Sequence, residues 1–97
     1  MVTRKKYLVR LARTLRRSVR GLDLPASVRL AKAFDNGGNF ALASTLEYLG
    51  YTVSWEHAGQ CYQGHDEWIC IILRDGRIAG ELFVHCDGVI LPPPVRR

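Results

Sequence analysis

At 97 residues, with an apolar fraction of 47% and a charged fraction of 24%, the chain has the composition of one ordinary globular domain spanning 1–97 and not of a disordered protein. No apolar run approaches the roughly 20 residues that a membrane-spanning helix needs, which sets a membrane aside as a partner. The net charge is +5, but residues 1–22 hold eight cations and no acid, so the remainder carries a net −3 and the molecule is electrically two-ended.

Residues 1–22 read as a basic amphipathic helix capped by Thr3 and running to about Arg20. Leu8, Leu11, Leu15, Val19 and Leu22 recur at spacings of three and four, and Lys6, Arg10, Arg13, Arg17 and Arg20 form a second stripe at the same period. Like charges four residues apart destabilise an isolated helix by a few tenths of a kcal/mol per pair, so packing or a bound anion must compensate. A solvated face, nucleic acid and an acidic protein surface are the occupants such a stripe suits. An Arg-rich, acid-poor start also has the composition of an organelle-targeting peptide, although cleavage would take the longest helix from a small core.

Two short helices are expected across 25–49. Gly21 ends the first helix and Pro25 suits the first turn of the next, which would stop at Asn36-Gly37-Gly38. Asn39 would then cap a third helix closed by Gly50 in a left-handed conformation. The stretch 39–53 faintly resembles the last helix of small helix-turn-helix antidote proteins, but no recognition helix precedes it.

From Tyr51 the period changes to two, and residues 51–91 read as an antiparallel sheet. Tyr51, Val53, Trp55 and His57 mark a first strand, and a loop of about nine residues follows. Asp75-Gly76 between β-rich runs is the strongest short hairpin signal, because a type I′ turn needs positive φ at both central positions. Pairing Arg74 with Arg77 and counting outward sets Leu73, Ile71, Ile69 and Leu82 on one face, expected to be the core. Trp68, Phe83, Glu81 and His85 fall on the other. A second turn at Asp87-Gly88 would return a short fourth strand at 89–91, and the Pro/Arg tail at 92–97 ends the sheet. The expected fold is α+β, three N-terminal helices packed on one face of a four-stranded antiparallel meander, with the other face open to water.

All three histidines and all three cysteines lie within 57–86. His57, Cys61 and His65 have the donor chemistry of a zinc site, but adjacent His85 and Cys86 point to opposite faces and no spacing repeats a knuckle, so no metal and no cofactor is expected. Cys70 reads as a small apolar filler. The odd cysteine count argues for reduced thiols and a cytoplasmic setting. Gly64-His65, a strand, Asp75-Gly76-Arg77 and a second strand weakly resemble HicA-type toxins, small ribonucleases with a double-stranded-RNA-binding-like fold. The resemblance implies a catalytic role for His65. The family's serine before the histidine is absent, the loop before Gly64 is longer and no helix follows the sheet.

No phosphate-cradling glycine loop and no serine-histidine-carboxylate order is present. The sequence therefore points to a non-enzymatic interaction protein, with a protein or nucleoprotein complex as partner and nucleic acid as the second partner class. In size and in lacking a catalytic motif it resembles the single-domain inhibitors of phages and mobile elements, anti-CRISPR proteins among them. The expected contact residues are Trp68, Phe83, Arg74, Arg77, Glu81 and His85 on the sheet, and Lys6, Arg10, Arg13, Arg17 and Arg20 on the helix. An RNA-stacking role for the sheet is opposed by Glu56, Asp66 and Glu81, which repel phosphate.

Overall fold

The computed structural model describes residues 4–84 together with 90 and 91. The proposed Thr3 cap, His85, Cys86, the Asp87-Gly88 turn and the 92–97 tail lie outside the described residues.

The first helix, α1 (Arg4–Ser18), forms where the leucine stripe predicts it. Leu11, Ala12, Leu15 and Val19 are buried, while Lys6, Arg10, Arg13, Arg17 and Arg20 stand exposed on the opposite side. The helix ends two residues early, because Val19 leaves it to bridge to Gly80 of the sheet.

The second helix, α2 (Leu24–Tyr48), corrects the expectation of two short ones. Asp23 is its cap: the carboxylate accepts from the Ala26 N–H at 2.9 Å, and the buried Ser27 hydroxyl donates to the Asp23 carbonyl at 2.7 Å. Asn36-Gly37-Gly38 bends the helix instead of ending it. Gly38 alone takes a non-helical conformation, φ 66° and ψ −150°, and helical turns resume at once on either side. A single residue at positive φ redirects the axis without needing a loop or a fresh cap. Gly50, at φ 97°, closes the helix as expected, with the Tyr51 N–H donating to the Leu46 carbonyl at 3.0 Å.

The sheet is antiparallel, with three full strands: β1 (Thr52–Gln60), β2 (Asp66–Arg74) and β3 (Arg77–Val84). The anticipated four-stranded meander shrinks here to three strands plus the two-residue β4 (Ile90–Leu91), which pairs with Phe83 and Val84. The fold is therefore α+β with two helices, not three. The loop between β1 and β2 is shorter than expected, because a bulge at Ala58 lets β1 continue to Gln60. Cys61 and His65 close it, with the Cys61 N–H donating to the His65 carbonyl at 2.9 Å.

Asp75 and Gly76 take φ of 52° and 74°, so the type I′ turn forms and Arg74 pairs with Arg77 and Leu73 with Ile78, as counted from the sequence. Beyond that point the register slips. Ile72 pairs with Gly80, Cys70 with Leu82, Ile69 with Phe83 and Trp68 with Val84, leaving Ala79 as the extra residue of a bulge. One inserted residue in β3 exchanges the faces of that strand beyond the bulge, so Leu82 and Val84 join Cys70 and Ile72 of β2, while Glu81 and Phe83 join Ile71 and Ile69. The core face thus carries Cys70, Ile72, Leu82 and Val84, packed with Leu15, Leu30, Leu42 and Leu46 of the helices and with Val19 just past α1. Among the described residues, no helix is long and apolar enough to cross a membrane.

Candidate functional site

The exchange of faces redraws the candidate surfaces. Ile69, Ile71 and Leu73 of β2, expected in the core, lie on the face turned away from the helices. Their partners there are Glu56, Ser54 and Thr52 of β1 and Phe83, Glu81 and Ile78 of β3. Ile69 is only 7% exposed yet stands outside the core cluster. Ile78 is 58% exposed although it sits within a strand. A band of aliphatic side chains with Phe83 at one end therefore runs across the open face, flanked by the acids Glu56, Glu67 and Glu81.

Of the residues expected on that face, Phe83 and Glu81 lie there, and Trp68 does not. Trp68 belongs to the core face, near its end, where the His57 ring meets it edge-on at 5.1 Å and 71°. His57 Nε2 lies 2.9 Å from an Asp66 carboxylate oxygen. This hydrogen bond holds the Asp66 carboxyl below its ordinary pKa. His57 is thereby turned toward a carboxylate and an indole. Among the described residues no group of three or more His, Cys, Asp or Glu is placed to hold a metal ion. His65 sits exposed in the β1–β2 loop, where its carbonyl closes the turn. Burial pushes the Cys70 thiol up to about 12, so at neutral pH it is an inert core group.

Arg74 and Arg77 share the core-face side of the sheet but lie beyond the helices, at the β2–β3 turn. Arg74 is laid over the Tyr51 ring, its guanidinium carbon 5.1 Å from the centroid, and its Nη1 donates to the tyrosine hydroxyl at 3.5 Å. The same hydroxyl donates to the Arg20 carbonyl at 3.1 Å. Arg20, the last cation of the helical stripe, is brought here because its N–H donates to the Ala79 carbonyl at 2.7 Å. Two residue sets that the sequence assigns to separate surfaces, Arg74 with Arg77 and the stripe ending in Arg20, therefore meet at one corner. His85, the last expected sheet contact, lies outside the described residues.

No family model, no curated protein and no solved structure matches this chain. The function has to be argued from these surfaces.

Sequence reasoning missed the open-face set of Ile69, Ile71 and Leu73 and the bringing together of Arg20 with the hairpin arginines. One signal was present. Gly80 inside a strand marks a bulge or a close backbone approach, and here it marks both. A Cβ at Gly80 would overlap the Ser18 carbonyl, so the end of α1 can rest on β3 only if that residue is glycine.

Proposed function

We propose that this protein is a small non-enzymatic interaction protein that occupies and blocks a surface of a larger macromolecular target, gripping a protein partner with the open face of its sheet. The observation that carries the reading is the aliphatic band of Ile71, Leu73 and Ile78 with Phe83, beside the buried Ile69, on the face that no helix covers among the described residues. Contiguous apolar surface of this kind marks a binding site, because burying it against a partner releases about 25 cal/mol per Å². The acids Glu56, Glu67 and Glu81 at its margins suit a partner whose apolar patch has a basic rim, which speeds encounter and fixes orientation. The buried thiol of Cys70 fits a reducing, cytoplasmic setting.

A second reading, nucleic-acid binding through α1, is supported by the exposed stripe of Lys6, Arg10, Arg13, Arg17 and Arg20. One experiment separates the two. Wild-type protein, an Ile71→Glu variant and a triple charge reversal of Arg10, Arg13 and Arg17 are used side by side for capture from lysate of the source cells, with and without nuclease treatment. A protein retained by the wild type and by the arginine variant, and lost with Ile71→Glu, supports the sheet. Capture by Ile71→Glu that is lost both on nuclease treatment and on arginine reversal moves the reading to the helix.

A further inference from the structure

The corner where α1 meets the β2–β3 turn forms a cleft of about 480 Å³ lined by Arg20, Gly21, Arg74, Asp75 and Arg77, with Ile78 and Ala79 as its apolar part. Arg74 and Arg77 are directly opposite in the ladder. Like charges in that position destabilise a hairpin, so something other than hairpin stability accounts for the pair. Among the described residues, no carboxylate bridges to Arg20, Arg74 or Arg77. Asp75 lines the same cleft, and its single charge leaves an excess of two positive charges.

The cleft is also preorganised. Tyr51 is 3% exposed and links the Arg20 carbonyl to the Arg74 guanidinium through one hydroxyl. The ring and hydroxyl of Tyr51 hold the Arg74 guanidinium in place through its Nη1, and a guanidinium has further N–H donors that suit a phosphate. Gly21, at φ 82°, forms the wall beside that guanidinium: a Cβ there would sit 3.5 Å from Arg74 Nη1.

We propose that this cleft binds a phosphodiester of a nucleic-acid strand. A free phosphate would need the cleft alone. Here Lys6, Arg10, Arg13 and Arg17 lead toward it along one side of the helix, over about 16 Å from Lys6 to Arg17 at 1.5 Å per residue. A polyanion with a repeated charge fits that track, and a single anion does not. The inference goes beyond the protein-partner reading: the cleft adjoins the sheet face at Ile78 and adds a site for a polyanion to it, so the fitting target is a nucleoprotein.

The test is fluorescence anisotropy with a labelled duplex oligonucleotide and with the same strand unpaired, each across a salt series, with inorganic phosphate as competitor. Wild-type protein binds an oligonucleotide at low salt. Arg20→Ala and Arg77→Ala each weaken it by roughly tenfold, the size of a lost hydrogen bond to a charged group. Each also makes the slope of log affinity against log salt shallower by about one. Lys32→Ala removes one charge beside the first turns of α1, off the cationic stripe, and stays within about twofold of wild type on the same argument. Thermal unfolding of each variant reports on the fold, and having two cleft variants keeps the test decisive if one of them unfolds. The proposal is overturned if neither oligonucleotide binds, if inorganic phosphate binds where they do not, or if the two cleft variants behave like Lys32→Ala. Ile71→Glu should leave oligonucleotide binding unchanged, so failure of the cleft and failure of the sheet reading are separately visible.

Discussion

The main-chain N–H of Arg20 donates to the carbonyl oxygen of Ala79 at 2.7 Å, and that bond joins the end of the first helix to the bulge of the third strand. A bulge leaves one residue out of the ladder, and its carbonyl must find a donor elsewhere. The end of the helix supplies one, since residues past a last helical turn have amides no longer committed to the helix. The bulge, the Val19 bridge to Gly80 and the position of Arg20 are one arrangement.

Gly80→Ala should break it. The added Cβ meets the Ser18 main chain, which cannot rotate out of the way as a side chain would. Overpacking of this kind costs about 1–3 kcal/mol, and at this chain length each kcal/mol lowers the unfolding midpoint by about 4–8 °C. A thermal midpoint within error of wild type would show that the helix end does not depend on this close approach.

The exchanged faces lead to a second prediction. Ile72 and Ile71 are neighbours of the same type in one strand, and counting from the turn assigns Ile71 to the core and Ile72 to water. The bulge instead gathers Leu82 and Val84 onto the face of Ile72, and that is the face the helices cover: Ile72 is fully buried and Ile71 half-buried on the open face. Ile72→Ala should cost about 2–5 kcal/mol of stability, and Ile71→Ala about 1 kcal/mol or less. Urea unfolding of the two variants decides it, and equal costs would contradict the assignment of faces.

These two positions also show where the sequence is legible. Local chemistry was readable: the Asp75-Gly76 turn, the leucine stripe of α1 and the Gly50 cap are each set by residues within a few places of one another. What was not readable was imposed from a distance. The bulge at Ala79 depends on a donor from residue 20, and no period in β3 announces it. The bend at Gly38 looked like a stop because Asn-Gly-Gly commonly ends helices, but the leucines on either side bury against one core and hold the helix together. The candidate site divides in the same way. The exposed cations of α1 and the opposed Arg74 and Arg77 follow from local pattern, whereas the meeting of Arg20 with that pair, and the aliphatic identity of the open face, follow from the tertiary contact.

The thiols should react unequally. Cys70 is fully buried between the sheet and the helices, and burial raises its pKa to about 12, so almost none is thiolate at mildly alkaline pH. Cys61 is half-buried in the β1–β2 loop. Alkylation of native protein followed by peptide mapping should find Cys61 modified and Cys70 untouched, with Cys70 reacting only after denaturation. Modification of Cys70 at the rate of Cys61 would mean that the sheet and helices separate readily under native conditions.

The last prediction concerns acid. His57 donates to the Asp66 carboxylate at 2.9 Å, and that hydrogen bond lowers the carboxyl's pKa in the folded protein. A carboxyl whose folded pKa lies below its unfolded one contributes stability that is present above the unfolded value, about 3.9 for aspartate, and is lost as pH falls through the lower folded value. The loss therefore belongs below about pH 4, and it is small because both side chains are about half exposed to water and its screening. Asp66→Asn keeps the shape of the side chain and removes the titration. Urea midpoints of wild type and variant should differ at about pH 6 and draw together as pH falls below about 3. His57→Gln should show the same convergence with wild type, since it removes the donor that sets the shift. If the gap between wild type and Asp66→Asn stayed constant down the acid range, the His57–Asp66 bond would not be what positions the end of β1 against β2, and the edge-on contact of His57 with Trp68 would have to hold that end of the sheet without it.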